Sequence, residues 1–161
     1  TKVTRIHQLA PAIKEAFGEG QEVMIESFMA GTEVTCGCYK IKDKMIVLPI
    51  TEVISKNEFF DVDANYNAES VEEITPARIS SRLTDEIQSL TSRIYDIIGA
   101  KGIIRVDYII SPEGEVRMLE VNTTPGMTKT SFIPQQIRSA GLNIQEVMTE
   151  IIENESLSKR K

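Results

Sequence analysis

The sequence predicts an α+β fold in which helices flank a largely antiparallel sheet. Strand-like segments come in neighbouring pairs joined by short polar turns, at Lys42-Asp43-Lys44 and at Ser111–Gly114, as in antiparallel hairpins. Helical periodicity is confined to one segment before the strands, one between them and two after them. Strands and helices therefore do not alternate as they would in a doubly wound parallel sheet.

Length and composition are those of about one globular domain. The 161 residues are 41% hydrophobic, and 18 basic against 24 acidic residues give a net charge of −6. The basic residues are scattered, so no nucleic-acid partner is predicted. No apolar run approaches the roughly 20 residues of a bilayer span, and no secretory signal peptide is apparent. We therefore expect a cytoplasmic protein without a membrane partner. Because the chain begins at Thr1, we expect it to be a piece of a longer one.

The first half of the chain predicts one helix and three strands. Apolar residues at helical spacing predict a helix that ends at Gly18, a typical residue just past a helix end. The apolar run Val23–Ser27 predicts a short buried strand, followed by a bend at Ala30-Gly31. Two antiparallel strands are predicted around Lys42-Asp43-Lys44. Residues 55–70 are polar, and their apolar residues follow neither the helical nor the strand periodicity. They are therefore predicted to form a long surface loop.

The second half predicts a long helix, a hairpin and two closing helices. The long helix is predicted to begin at Thr84 as N-cap and to end at Gly99. The closing helices lie at 134–141 and 143–153, and Asn143 with Glu146 resembles a capping box. The long helix is predicted to bury an apolar stripe made of Ile87, Leu90, Ile94 and Ile97.

The hairpin gathers polar side chains near one end. If its loop has four residues, Arg105 lies opposite Glu120 and Asp107 lies opposite Met118. Side chains alternate along a strand and opposed pairs share a face. Arg105, Asp107, Glu120 and Asn122 are therefore predicted to project from one face. A register slip of one residue would break this arrangement.

These polar groups suit a divalent cation. Two carboxylates about 4 Å apart repel by about 4 kcal/mol at an effective dielectric constant of about 20, and a cation would remove that cost. Asp107, Glu120 and the Asn122 amide offer only oxygens, which favours Mg²⁺ or Mn²⁺ over zinc. Arg105 is an anion clamp beside them, and the glycine of the Thr-Thr-Pro-Gly loop lets backbone N–H groups approach an anion. The alternative is a surface ion pair between Arg105 and Glu120 on a solvated face.

Several segments resemble the C-terminal catalytic domain of the D-alanine–D-alanine ligases, which are ATP-grasp enzymes of peptidoglycan synthesis. The signature EVNTTPGMT follows the aspartate of IRVDY by thirteen residues, and VMIESFMAGTEVT, LPITEV, NEFFD, ITPARIS and KGIIRVDYI match in the family's order. The resemblance implies the end of a small ATP-grasp lobe at residues 1–33. It also implies a large lobe at 34–155 with a mobile loop at about 57–70, followed by a tail at 156–161.

The resemblance implies that the polar face binds the metal ions and the reacting groups of the substrates. Asp107, Glu120 and Asn122 are implied to hold two Mg²⁺ (or Mn²⁺) ions that bridge the ATP phosphates. Arg105 and the Gly126 backbone are implied to steady the acyl phosphate and the tetrahedral intermediate.

The resemblance also implies contacts to both substrates. Ser131 and Phe132 match positions on the carboxylate side of the second D-alanine, and Tyr66 lies in the mobile loop that closes over the reactants. Tyr66 favours D-alanine over D-lactate as second substrate. For the nucleotide, the resemblance implies that a hinge meets the adenine at Glu26, Ser27, Phe28 and Met29. It implies that Glu33 binds the ribose, and that the adenine ring is sandwiched by Phe59, Ile109 and Leu119.

The implied activity is the joining of two D-alanines with ATP hydrolysis through a D-alanyl phosphate, with a homodimer as one candidate assembly of the full-length enzyme. Two departures bear on it. Asn65 stands where the family has a loop lysine. The family's N-terminal domain, its phosphate loop and two lysines are not in this sequence, so we expect the 161 residues alone to be inactive.

Two alternatives stay open. One is another ATP-grasp ligase that joins a different amino or hydroxy acid. The other is a module that binds nucleotide and metal without turnover, which Asn65 would fit. The remaining reactive residues are predicted to be structural: Cys36 and Cys38 lack the further ligands of a zinc site, and His7 has no nucleophile near it in sequence.

Overall fold

The computed structural model describes residues 1–54 and 72–158, which fall into two compact units, Thr1–Ala30 and Gly31–Lys161. The first unit contains a 3-10 turn at Ile6–Gln8 and helix α1 at Leu9–Glu19, so this helix runs just past the predicted end. None of the described helices combines the length and the apolar character that crossing a membrane requires.

The predicted strand Val23–Ser27 is wrong. Residues 21–30 have no regular structure, and Met24, Ile25 and Phe28 are 80%, 64% and 68% exposed. A strand persists where a neighbouring backbone takes up its N–H and C=O groups. No described strand pairs with this segment.

The second unit is built on one six-stranded sheet, and every pairing in it is antiparallel, as predicted. The strand order is β4-β3-β1-β5-β6, and β2 also pairs with β1. The strand β1 is the longest of the described strands, and it lies between β3 and β5. The strands are β1 Thr32–Ile41, β2 Lys44–Val47, β3 Thr51–Ile54, β4 Glu72–Ile74, β5 Ile103–Ile110 and β6 Val116–Asn122.

The partner of β1 is divided in two, where a single strand was predicted. Pro49 lies between β2 and β3 and has no backbone N–H to donate, which interrupts a ladder. Leu48 still donates its N–H to the Gly37 carbonyl at 2.8 Å, so the segment stays against β1. The strand β4, which pairs with β3, was not predicted because it has only three residues.

Helix α2 spans Ser81–Ile97, and its N-cap lies four residues earlier than predicted. Ser80 is the N-cap, since its hydroxyl accepts the Leu83 N–H at 3.4 Å, whereas the predicted cap Thr84 lies inside the helix. Ile97 is 78% exposed, so the predicted stripe is wrong at that position. Burial follows a spacing of four residues instead, at Ile87, Thr91 and Tyr95.

Two helices close the chain as predicted, α3 at Phe132–Ser139 and α4 at Ile144–Ser158. The Asn143 side chain caps α4, because its Oδ1 accepts the N–H groups of Gln145 at 2.8 Å and Glu146 at 3.3 Å.

The sheet is covered by helices on both faces. One face packs against α2, and its core includes Cys36, Cys38, Ile104, Val106 and Tyr108. Part of the other face packs against α3 and α4, through Tyr39, Leu48, Ile103, Ile133 and Ile137. The polar residues described below continue this second face along β1, β5 and β6.

Both cysteines are free and fully buried, and burial raises the pKa of each thiol to about 12. At pH 8 the thiolate, which is the reactive form, is therefore almost absent in the folded protein. We expect Cys36 and Cys38 to resist a thiol reagent in the native state and to react fully in denaturant, as measured by peptide mapping of the label. Labelling of either residue within seconds under native conditions would contradict this.

Candidate active site

The β5–β6 hairpin places Asp107 directly opposite Glu120. The predicted four-residue loop is wrong, because five residues, 111–115, join the strands and Ile110 pairs with Val116. A β-bulge then shifts the register again between Tyr108 and Asp107, which leaves Leu119 as the extra residue of β6.

These two departures cancel for the polar face. Without the bulge, Glu120 would lie opposite Val106 and project from the other face, since a slip of one residue exchanges the faces. With the bulge, Asp107 pairs with Glu120 and Arg105 pairs with Asn122. The four residues share one face, as predicted. Met118, which was predicted to lie opposite Asp107, pairs with Tyr108 instead.

Arg105 holds both carboxylates of this face. Its Nε lies 2.9 Å from Oδ1 of Asp107 and its Nη2 lies 2.8 Å from Oδ2, while Nη2 is 3.8 Å from Oε1 of Glu120. The hydrogen bonds with Asp107 raise the pKa of the Arg105 guanidinium. The alternative, an ion pair between Arg105 and Glu120, is present at 3.8 Å, but the closer pair joins two largely buried groups, Arg105 and Asp107.

The donor set of this face fits Mg²⁺. It offers two cross-strand carboxylates and the Asn122 amide oxygen, which accepts the Thr124 N–H at 3.0 Å. In the described parts of the chain, no three His, Cys, Asp or Glu side chains cluster as a metal site of their own. Mg²⁺ typically takes one or two carboxylates and fills its remaining positions with water and substrate phosphate oxygens. The Arg105 guanidinium now provides the positive charge between the two carboxylates.

Glu33 and Ile109 extend this face along the neighbouring strands. They are direct partners across β1 and β5, two residues from the Thr35–Asp107 pair. The pKa of Glu33 is raised, first by partial desolvation and then by the negative charge of Asp107, and Arg105 opposes this. The predicted ribose acid and one predicted adenine contact therefore lie beside the predicted metal ligands.

The loop after β6 packs closely on the start of α3. A Cβ at Gly126 would lie 2.9 Å from the Ser131 Oγ, so a larger residue there would require the Ser131 hydroxyl to shift. The Ser131 hydroxyl accepts the Thr128 N–H at 3.2 Å and makes no capping bond to its own helix. The structure therefore brings together two residues that the sequence assigned to the substrates.

Helix α3 also reaches the polar face. The Arg105 guanidinium carbon lies 5.2 Å from the centroid of the Phe132 ring, which is within cation–π distance. Phe132 is the first residue of α3 and directly follows Ser131. The predicted substrate residues and the predicted oxyanion arginine are thus neighbours.

The remaining predicted residues lie in the first unit or outside the described residues. Glu26, Ser27, Phe28 and Met29 lie in the first unit, where the Lys2 ammonium is 3.7 Å from the Phe28 ring centroid. Phe59, Tyr66 and Asn65 lie outside the described residues, as does the predicted mobile loop 57–70. Their proposed roles, and the division into small and large ATP-grasp lobes, stay predictions.

Sequence reasoning missed two residues that support the face. Thr35 is 2% exposed and its hydroxyl donates to Oδ1 of Asp107 at 2.5 Å. Gln136 is fully buried, and its Nε2 donates to the Thr35 carbonyl at 3.0 Å. Alternation from Glu33 would have placed Thr35 on the face, but periodicity gave no signal for a buried glutamine in α3.

The fold is that of ATP-grasp proteins, as comparison with solved structures shows. The chain superposes on the VanG D-Ala:D-Ser ligase from Enterococcus faecalis with a TM-score of 0.84 and 34% identity, covering 95% of this chain and 44% of that one. It superposes on the D-alanine–D-alanine ligase from Bacillus anthracis complexed with ATP with a TM-score of 0.79 and 28% identity, covering 98% and 50%.

The sequence comparisons specify the family. The family model described as the D-ala D-ala ligase C-terminus matches residues 1–153. The D-alanine–D-alanine ligase of Azobacteroides pseudotrichonymphae is 69% identical over 154 residues, which cover 96% of this chain and 48% of the relative. That of Parabacteroides distasonis is 65% identical over 161 residues, which cover 100% and 48%. The chain belongs to the D-alanine–D-alanine ligase C-terminal family, and it spans about half the length of the curated relatives it matches.

Proposed function

We propose that the full-length protein joins two D-alanines with ATP hydrolysis through a D-alanyl phosphate, and that it does so in the cytoplasm for peptidoglycan synthesis. The family resemblance suggests a homodimer. The observation that carries the proposal is the polar face, where Asp107 and Glu120 are cross-strand partners and Arg105 contacts both. The approach of Gly126 and Ser131 at the start of α3 supports a substrate site nearby.

The reaction has two steps. A carboxylate oxygen of the first D-alanine attacks the γ-phosphorus of ATP, and ADP leaves. The amine of the second D-alanine then attacks the acyl carbon, the amide bond forms, and inorganic phosphate leaves while the amine loses its proton. The protein contributes mainly positioning and electrostatic stabilisation to such a transfer.

Each residue of the face has a proposed part in these steps. Asp107, Glu120 and Asn122 would hold the Mg²⁺ or Mn²⁺ ions, which as Lewis acids spread the charge on the γ-phosphoryl group. Arg105 and the Gly126 N–H would donate to the oxygen that becomes negative when the amine attacks. Loss of one such donor typically costs about 3–4 kcal/mol of transition-state stabilisation.

The second substrate separates this proposal from a close alternative. One solved structure of similar fold is named a D-Ala:D-Ser ligase, so a hydroxylated second amino acid is the competing substrate class. We propose D-alanine because the curated relatives at 69% and 65% identity are named D-alanine–D-alanine ligases. The predicted contact of Tyr66 in the mobile loop also favours D-alanine.

An assay of the full-length protein with ATP, Mg²⁺ and a panel of D-alanine, D-serine and D-lactate tests the proposal. We expect D-alanyl-D-alanine as the main product by mass spectrometry, with one phosphate released per dipeptide. The 161-residue chain alone should form no product, because half of its relatives' length is not in it. ATP binding without phosphate release by the full-length protein would indicate a binding module instead. A D-serine or D-lactate product would indicate another ligase.

A further inference from the structure

We infer that Thr35 is a positioning residue, which fixes the Asp107 carboxylate in the orientation that a divalent cation requires. The inference rests on the proposed function, because it concerns how the proposed metal-holding face is built. It goes beyond the ligand set itself, since Thr35 is not one of the proposed ligands.

The hydrogen bond from Thr35 to Asp107 is the first observation. The two residues are direct partners across β1 and β5, and both are buried. The Thr35 hydroxyl has a single proton to donate. Oδ1 of Asp107 lies at 2.5 Å and the Val106 carbonyl at 3.5 Å, so the proton goes to the carboxylate. Such a short distance is typical of a bond between a hydroxyl and an ionised acceptor.

Asp107 needs this second hydrogen bond because its other partner, Arg105, is proposed to bind an anionic group during the reaction. Arg105 donates to both oxygens of Asp107 from the same strand, at the end of a long flexible side chain. When Arg105 turns toward an anionic group, those bonds weaken. Thr35 then keeps Asp107 in place from a different strand, and its β-branched side chain has little freedom at χ1.

Thr35 is itself held by the helix that bears the proposed substrate residues. Gln136 of α3 donates from Nε2 to the Thr35 carbonyl at 3.0 Å and to the Thr51 hydroxyl at 3.1 Å. Its Oε1 accepts the Gly37 N–H at 2.9 Å. The position of α3, which begins at Phe132, and the orientation of Asp107 are therefore set by the same residue of β1.

Binding of Mn²⁺ to the full-length protein tests the inference without relying on turnover. Free Mn²⁺ is followed by electron paramagnetic resonance in the presence of a non-hydrolysable ATP analogue. Thr35→Val keeps the shape and removes the donor, and we expect it to raise the Mn²⁺ dissociation constant about 10- to 100-fold, the usual loss when a ligand's supporting hydrogen bond is removed. Thr35→Ser keeps the hydroxyl, so its Mn²⁺ dissociation constant should lie within about 3-fold of the wild-type value, well below the loss expected for Thr35→Val.

A matched control separates positioning from stability. Thr91 is also buried, and its hydroxyl bonds to the Tyr108 hydroxyl at 2.8 Å on the α2 side of the sheet. Thr91→Val should lower the melting temperature as much as Thr35→Val does and leave Mn²⁺ affinity unchanged. Wild-type Mn²⁺ affinity in Thr35→Val overturns the inference, as does an equal loss of affinity in Thr91→Val. If the wild type binds Mn²⁺ with the analogue but forms no dipeptide, the ligase proposal fails and the positioning inference stands. If it binds no Mn²⁺, both fail.

Discussion

Glu120→Gln should reduce ligation by the full-length protein at least about 100-fold, the scale of loss when one charge-stabilising group is removed from an active site. The substitution keeps the length and shape of the side chain and removes the charge that is proposed to hold the cation. Its effect on folding should be small, because the Glu120 side chain is 65% exposed and its ion-pair partner, Arg105, is 3.8 Å away. We expect a change in the free energy of unfolding within about 0.5 kcal/mol, as for most surface substitutions.

Glu115→Gln is the matched control. The Glu115 side chain is also 65% exposed and makes an ion pair with Arg117 at 2.8 Å, in the loop of the same hairpin. It lies outside the polar face, so its activity and melting temperature should match the wild type. Steady-state rates over a range of Mg²⁺ concentrations distinguish the two variants. Near-normal rates in Glu120→Gln at low Mg²⁺ would contradict the assignment of this face to the metal.

Gln136→Leu should produce the largest loss of stability among these variants. The side chain is fully buried and bonds to two backbone groups and one hydroxyl of the sheet. Leucine of similar size leaves the Gly37 N–H and one lone pair of the Thr35 carbonyl without their partner. An unsatisfied buried polar group costs about 1–3 kcal/mol, so we expect a loss of about 2–4 kcal/mol in the free energy of unfolding.

Urea unfolding of the full-length protein measures this loss. Gln145→Leu is the control, because Gln145 is an exposed residue of α4, and it should change the free energy by less than about 0.5 kcal/mol. A Gln136→Leu variant as stable as Gln145→Leu would mean that α3 does not depend on this hydrogen-bond network.

The sequence predicted correctly which residues form the polar face, although the predicted loop length and strand register were wrong. Alternation fixes which residues share a face only when the register is known. The loop proved one residue longer than Ser111–Gly114, and the bulge at Leu119 added a second shift. Neither has a clear sequence signal, since Leu119 is neither glycine nor proline. The prediction of the shared face was still correct, because the two shifts add up to two residues. A shift of two residues leaves Asp107 and Glu120 on the same face of the sheet.

Tertiary packing explains most of what the sequence did not reveal. Val23–Ser27 has strand-like composition, yet composition alone supplies no pairing partner, and the segment is irregular. The approach of Phe132 to Arg105 depends on where α3 docks, which periodicity does not specify. Gln136 breaks the apolar pattern of its helix because it bonds to the backbone of β1, a contact between residues 99 apart in sequence.

Anomalous diffraction from crystals of the full-length protein with Mn²⁺ and a non-hydrolysable ATP analogue tests the central claim most directly. The claim is that Asp107, Glu120 and Asn122 hold the catalytic cation. It predicts Mn²⁺ peaks at coordination distance from oxygens of these side chains, with Arg105 turned from Asp107 toward an anion. Mn²⁺ bound elsewhere, with Arg105 still paired to Asp107 as in the present structure, would contradict it.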